Sequence, residues 1–199
     1  MKKSEVLVTG VGGQGIILAS DILSEAALAA GYDVKKTDTL GMAQRGGAVV
    51  SNVRLAPKVY SPLIKEGEVD LLLAFEKLEA ARWGNYLRPG AIAIVNQHAQ
   101  PPLGVNLGNE RYPGDEEITG ILKQRAERIF YVPGTARARE IGDVRTLNMF
   151  MLGCASVFLP LKVPTWRETI SRHVPARARE MNIAAFAAGR KEIRNVHLG

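Results

Sequence analysis

Cysteine occurs once in the 199 residues, as Cys154, so the chain can form no internal disulfide and cannot by itself ligate an iron–sulfur cluster. Flanked by Leu152, Ala155 and Val157, it reads as a small buried hydrophobe. The three histidines, His98, His173 and His197, lie far apart and without the His-Glu-x-x-His spacing of a metal centre, so no metal site is predicted. No catalytic residue is predicted either. Ser51 and Ser156 lack a nucleophile-elbow setting, and His173 precedes Pro175 at a basic helix end, where a dipole or packing role suffices. Aromatic residues make up only 6% of the chain, with no RNA-binding aromatic signature, zinc-finger spacing or recognition helix, which argues against a nucleic-acid partner. No window holds eighteen uninterrupted apolar residues, and Met1-Lys2-Lys3-Ser4-Glu5 leads straight into a strand. A soluble, cytoplasmic protein with no membrane contact is expected.

Hydrophobic residues account for 46% of the chain, enough at this length for one sizeable core. A single domain over residues 1–189 is predicted, followed by a polar tail, 190–199, expected to fray. The net charge of +6 is spread through Lys35-Lys36, Arg125 and Arg128, Arg137 and Arg139, and Arg177 and Arg179. Such a mildly basic surface suits a phosphate-bearing cofactor or an acidic protein.

Apolar runs alternate with helical patterns. Strands are predicted over 6–9, 32–37 and 48–55, with a helix over about 15–30 in βαβ order. VDLLLAF, Val69 to Phe75, is a continuous apolar run that suits the middle of a parallel sheet. A crossover helix over 76–87 follows, and Arg88-Pro89-Gly90 turns the chain into a buried strand over 91–96. Residues 97–113, rich in proline and glycine, offer only short edge strands. The pattern predicts a helix over 115–129, a short strand at Phe130-Tyr131-Val132 and a short helix capped by Thr135. Asp143 is a candidate N-cap for an apolar helix over 144–159, and Pro164 and Pro175 each open a further helix. The fold class is therefore α/β: a doubly wound, mostly parallel, Rossmann-like sheet with C-terminal helices.

Between the first strand and the first helix stands GVGGQGI, residues 10–16. Glycine lets main-chain N–H groups at a helix N-terminus approach an anion, and the helix dipole favours negative charge there. Gly10, Gly12 and Gly15 satisfy G-x-G-x-x-G, but the acidic residue that would hold a ribose hydroxyl at the end of the second strand is replaced by Lys35-Lys36. Asp38, beyond the lysines, is assigned to a cap or turn. A turn serving only close strand–helix packing is the plainer alternative.

A second glycine-rich segment, GMAQRGG, follows the second strand. Arg45 offers a planar cationic fork for phosphate or carboxylate, and Gly46-Gly47 permits backbone approach. The alternative is a surface loop with a solvated arginine. Delivered by adjacent parallel strands, loops 10–16 and 41–47 should lie side by side at the carboxyl edge of the sheet. Glu76, just after the buried strand, is either a ligand contact or a first-turn carboxylate favoured by the helix dipole.

GVGGQGI, GMAQRGG, VYSPLI, GEVDLLLAFEKLEAARW and NMFMLG occur in the order that resembles the gamma-type domain of 2-oxoacid:ferredoxin oxidoreductases, over roughly residues 5–185. The stretches 41–55 and AFEKLEAARW are most similar to small subunits of the indolepyruvate branch. The resemblance implies oxidation of a 2-oxoacid, indolepyruvate or another aryl pyruvate, with coenzyme A as co-substrate and ferredoxin as acceptor. Gly114-Asp115-Glu116 departs from the Gly-Asp-Gly start of a thiamine-diphosphate signature. It therefore implies a large partner subunit carrying thiamine diphosphate and the iron–sulfur clusters, no cofactor tightly bound to this chain, no activity alone, and room for a homodimer contact. By matching positions, Gly10, Gly12, Gly13, Gln14 and Gly15, with Gln44, Arg45, Gly46 and Gly47, inherit the coenzyme A or partner contact. Two other readings remain open: a free-standing NADP- or other nucleotide-binding reductase using Lys35 or Lys36, and a scaffold with an empty Rossmann-like pocket.

Overall fold

The computed structural model describes residues 2–41 and 46–197. Six strands, β1 Ser4–Val11, β2 Asp33–Leu40, β3 Ala48–Ala56, β4 Val69–Ala74, β5 Leu87–Asn96 and β6 Ala126–Val132, form one sheet in the order β2-β3-β1-β4-β5-β6. β1, β4, β5 and β6 are paired in parallel, whereas β3 runs antiparallel to both β1 and β2. The hairpin follows from chain length. Only residues 41–47 separate β2 from β3, and a parallel return needs a crossover of a dozen or more residues. β2 is thus one strand removed from β1.

Eight helices complete the described chain: α1 Ile16–Ala29, α2 Lys77–Arg82, α3 Leu103–Asn106, α4 Asp115–Lys123, α5 Gly134–Ile141, α6 Leu147–Ala155, α7 Val163–His173 and α8 Arg179–His197. The two-residue period of the strands sorts the core into two layers. Val6, Val8, Leu71, Leu73 and Ile94 face one way, against Ile22 of α1, Phe150 of α6, Trp166 of α7 and Phe186 of α8. Leu7, Leu72, Ala93 and Val95 face the other, against Ala80 of α2 and Ile118 and Leu122 of α4. This is the doubly wound α/β arrangement. Every residue of α6 is buried, so the apolar run near the C-terminus is core. Each large side chain such as Phe150 contributes about 1.5–3 kcal/mol by its burial.

Several local expectations are corrected. The crossover helix is short, and a 3-10 turn at Gly84–Tyr86 replaces its second half. Arg88-Pro89-Gly90 lies within β5, where the pairing slips from Val69 with Leu87 to Leu71 with Ile92; a bulge there accommodates a proline that has no N–H to give the ladder. The helix predicted to reach residue 129 stops at Lys123, and residues 126–129 extend β6, because pairing of Arg128, Ile129 and Phe130 beside β5 outweighs local helix preference. Residues 97–113 hold the short α3 and no strand. Residues 190–197, expected to fray, continue α8, with Ile193 buried against the core. Asp143 does cap, accepting from Arg145 N–H at the start of the 3-10 turn Val144–Thr146.

Candidate functional site

The end of β1 is shaped by its glycines. Gln14 N–H donates to the Val11 carbonyl at 3.1 Å, while Gln14 Oε1 accepts from Val11 N–H at 2.9 Å, closing a tight turn. Gly13 and Gly15 sit at φ of 105° and 81°, a left-handed conformation that side chains disfavour. A Cβ on Gly10 would fall 2.6 Å from Gln14 Oε1 and 2.8 Å from Phe75 Cβ, so Gly10 serves the fit of the turn itself. α1 begins at Ile16 with Gly15 as N-cap, no side-chain cap and no acid in its first turn. Its leading N–H groups have no intrahelical acceptor and form a positive helix end.

The described end of the second loop, at Gly47, lies beside the first, for a reason other than adjacent parallel strands. Gly12 N–H donates to the Gly47 carbonyl at 2.9 Å, and Thr9 Oγ1 donates to the Val49 carbonyl at 3.1 Å. On this side the neighbour of β1 is the antiparallel β3, so Gly47 is brought to β1 by the start of β3 and not by a parallel β2. A Cβ on Gly46, at φ 79°, would meet nothing within 4 Å. Gln44 and Arg45 lie outside the described residues.

A cavity of about 360 Å³ opens beside the turn, with Gly13, Gln14, Gly15 and Leu18 on one wall. Its other walls come from far along the chain: His98 and Gln100 after β5, Thr135 and Arg139 of α5, and Arg145 and Asn148 leading into α6. Gly46 and Gly47 do not line it. Sequence reasoning assigned none of these distant residues to the site. Asn148 is the informative omission. Its side chain packs so tightly on Gly15 that a Cβ there would lie 2.8 Å from Nδ2, and its Oδ1 accepts from Met149 N–H at 2.9 Å. A lone amide in the otherwise apolar run LNMFMLGCA was the available signal.

Buried polar groups hold these walls. Asn96 Nδ2 donates to the Phe75 carbonyl at 3.0 Å and to Thr135 Oγ1 at 2.9 Å, and its Oδ1 accepts from Thr135 N–H at 3.1 Å. Thr135 therefore fixes α5 to the strand ends; Pro133, not Thr135, is the N-cap residue. Glu76 is 1% exposed and caps α2, accepting from Glu79 N–H at 2.9 Å, from Gln100 N–H at 3.0 Å and from the Tyr112 hydroxyl. Both of its oxygens are engaged, so it positions the 98–100 wall and does not offer a ligand contact. Burial, then the hydrogen bond to Glu76, pushes the Tyr112 hydroxyl far above its ordinary pKa.

Charge around the cavity is uneven. Arg145 is held by Asp143, with Nε at 2.8 Å and Nη2 at 2.5 Å from Oδ2. Those bonds, with the Arg145 N–H, keep the Asp143 carboxyl below the usual carboxylate range. Arg139 has no ion pair among the described residues. Among the described residues that line the cavity, it is the cation open to an arriving anion.

Other candidate groups are not gathered here. Lys36 is ion-paired with Asp21 and Asp38, and Lys35 with Asp33 at 3.3 Å. Asp38 lies within β2 and accepts from Ser51 Oγ at 2.6 Å, a ladder position that replaces the predicted turn. With β3 between β2 and β1, this arrangement argues against the NADP reading: the lysines are engaged, and one strand further from the glycine turn than that reading needs. His173 Nδ1 is 3.0 Å from the Thr169 carbonyl on α7. Ser156 Oγ donates to the Gly153 carbonyl at 2.7 Å. Cys154 is buried, donates to the Gly189 carbonyl at 3.3 Å, and has its thiol pKa pushed well up by burial, so it makes neither a nucleophile nor a cluster ligand. Among the described residues, no three of His, Cys, Asp and Glu gather to hold a metal ion. No helix among them is long and apolar enough to cross a membrane.

The comparisons with known proteins agree with this architecture. Indolepyruvate oxidoreductase subunit IorB of Pyrococcus horikoshii is 38% identical over 194 residues, spanning 96% of this chain and 96% of that protein. The 2-oxoglutarate synthase subunit KorC of Methanothermobacter marburgensis is 30% identical over 200 residues, spanning 96% and 97%. The gamma subunit of a keto/oxoacid ferredoxin oxidoreductase from Geobacter sulfurreducens shares the fold with a TM-score of 0.70 at 24% identity, over 96% of this chain and 99% of that one. A 2-oxoglutarate:ferredoxin oxidoreductase from Magnetococcus marinus, solved with 2-oxoglutarate, coenzyme A and succinyl-CoA bound, shares it with a TM-score of 0.75 at 22% identity. That match covers 98% of this chain but only 32% of the longer one. A family model for pyruvate ferredoxin/flavodoxin oxidoreductase matches residues 5–192, and with curated relatives at 30% identity or more across almost their whole length, the chain belongs to that family.

Proposed function

We propose that this chain is the non-cluster subunit of a ferredoxin-linked, coenzyme A-dependent oxidoreductase acting on indolepyruvate or a related aryl pyruvate, with coenzyme A engaged at the glycine turn. The observation that carries the substrate class is the full-length match to the IorB protein of Pyrococcus horikoshii. Coenzyme A bears phosphates, and the cavity's chemistry suits them. The uncapped N-terminus of α1, the open backbone of Gly13, and the unpaired guanidinium of Arg139 converge on one volume of about 360 Å³. In this reading coenzyme A supplies the thiol that receives the acyl group. The chain's own work is to bind and orient that co-substrate and to complete the site against a partner. Gly12 and Gly47 are hydrogen-bonded at the same edge, and they are assigned, with Gln44, Arg45 and Gly46, to the coenzyme A or partner contact.

One buried cysteine does not fit an iron–sulfur cluster, so the clusters, with thiamine diphosphate, are assigned to a larger subunit, and ferredoxin to the assembled complex. The test is to express the chain alone and together with a large subunit of the same family, then measure indolepyruvate- and coenzyme A-dependent ferredoxin reduction. The pair should turn over and the chain alone should not. Turnover by the chain alone, or reduction supported by NADPH without coenzyme A, would overturn the proposal.

A further inference from the structure

A second concavity, of about 490 Å³, lies between α7 and α8, away from the glycine turn, and its lining has an unusual composition. The floor is apolar, formed by Val163, Ile183 and Phe186, with Trp166 tilted against Phe186 at 5.7 Å between ring centroids. The rim is cationic: Arg167 from α7, and Arg190, Lys191 and Arg194 from α8. No carboxylate lines it. The acids of these helices nearest in sequence are engaged elsewhere, Glu168 with Arg172 and Glu192 with Arg137. Arg190 Nη1 donates to Ser156 Oγ at 2.6 Å, while Arg167, Lys191 and Arg194 make no ion pair among the described residues. Burial and the neighbouring Arg194 both lower the Arg190 guanidinium pKa from its ordinary value, which registers the repulsion within the cluster. Arg190 and Arg194 are four residues apart on one helix, a like-charge spacing that is destabilising in itself. A groove that gathers like charge over an apolar floor is complementary to a ligand bearing both features reversed.

We propose that the α7–α8 groove is a docking surface for an acidic segment of a partner protein, its carboxylates meeting Arg167, Lys191 and Arg194 while one or two apolar side chains settle over Val163 and Ile183. A free phosphate would use the charges and leave the apolar floor uncovered. A nucleic acid would need stacking aromatics at the surface, whereas Phe186 and Trp166 are buried. The inference is independent of the cavity beside the glycine turn.

The test uses the full chain and a fluorescein-labelled twelve-residue peptide alternating glutamate with leucine, followed by anisotropy. Binding should weaken at least tenfold between about 50 mM and about 300 mM salt, as exposed ion pairs are screened. The glutamine-for-glutamate peptide should not bind. The triple variant Arg167→Glu, Lys191→Glu, Arg194→Glu should lose at least tenfold in affinity. A control triple with the same charge change at exposed positions, Lys2→Glu, Lys65→Glu, Lys123→Glu, should lose less than twofold. Ala187→Trp, which fills the groove from an exposed position without altering charge, should also abolish binding, and melting temperatures verify that every variant is folded. Equal losses in the two triple variants, equal binding of the glutamine peptide, an undiminished affinity in Ala187→Trp, or displacement of the peptide by millimolar pyrophosphate would each overturn the proposal.

Discussion

Gly13 and Gly15 hold φ angles of 105° and 81° at the end of β1, and a Cβ on Gly13 would meet nothing within 4 Å. Gly153 and Gly189 lie within α6 and α8 without a positive φ, yet a Cβ on Gly153 would fall 2.1 Å from the Phe186 carbonyl oxygen, and one on Gly189 would fall 2.0 Å from that of Phe150. The first pair is glycine for the shape of the backbone: Gly13 leaves room in front of it, while Gly15 faces the Asn148 side chain. The second pair is glycine for distance and leaves none. At the crossing, two helix backbones touch where side chains normally intervene, and the reciprocal contacts of Gly153 and Gly189 hold α8 against a fully buried α6. Turn glycines should therefore reveal themselves in ligand handling, and crossing glycines in stability.

The largest effect is expected at the crossing. Gly189→Ala or Gly153→Ala forces α6 and α8 apart and unsettles the packing of Phe150 and Phe186, at a cost of about 3 kcal/mol, the upper end of overpacking penalties. For a chain of this size that lowers the melting temperature by about 6–12 °C. Calorimetry on the chain alone measures it, and a fall under about 2 °C would mean that the helices slide past the new methyl group. Gly13→Val is expected to come next. A β-branched residue at positive φ strains the backbone by about 1–3 kcal/mol, and its side chain enters the space that a phosphate is proposed to fill. In the assembled complex the KM for coenzyme A should rise at least tenfold. A melting-temperature loss as large as that of Gly189→Ala with an unchanged KM would erase the distinction between the two pairs.

Arg139→Ala removes charge at the cavity without touching the fold, since Arg139 is exposed and makes no ion pair among the described residues. The KM for coenzyme A should rise about tenfold, the worth of one charge-assisted hydrogen bond of about 1.5 kcal/mol. The melting temperature should stay within about 1 °C, the range of surface substitutions. Steady-state kinetics and a melting curve on the same preparation read both. An unchanged KM would move the phosphates away from α5.

How much of this was legible in the sequence follows the same division. The turn glycines stand together between an apolar run and a helical one, so local pattern places them, as it placed β1, α1, β4 and the Asp143 cap. The crossing glycines are 36 positions apart and ordinary in their helices, and only tertiary packing pairs them. The remaining walls of the cavity were hidden for the same reason, since His98, Thr135, Arg139 and Asn148 meet Gly13 to Gly15 only through the sheet order. The direction of β3, in contrast, was available from the seven residues between β2 and β3, which rule out a crossover helix.

The smallest expected effect lies on the opposite face of the sheet from the crossing. Glu79 of α2 is 3% exposed, and its Oε2 has no hydrogen-bond partner although Oε1 accepts from Arg82 at 2.6 Å. Burial, opposed in part by Arg82, raises its carboxyl pKa above the ordinary value. The native state therefore binds this proton more tightly than the unfolded chain does. Its contribution to stability is fully present below the ordinary carboxyl pKa and is lost as pH rises through the raised one. Glu79→Gln cannot lose a proton, so its melting temperature should fall less between acid and neutral pH than that of the parent, by about 2–4 °C for each kcal/mol of linkage. Because α2 packs on the other layer from α6 and α8, the same flattening should appear when Glu79→Gln is placed in the Gly189→Ala background, within about 0.5 kcal/mol of additivity. A flattening that vanishes in that background would mean that the strain at the crossing reaches through the sheet, and the two faces would have to be treated as one mechanical unit.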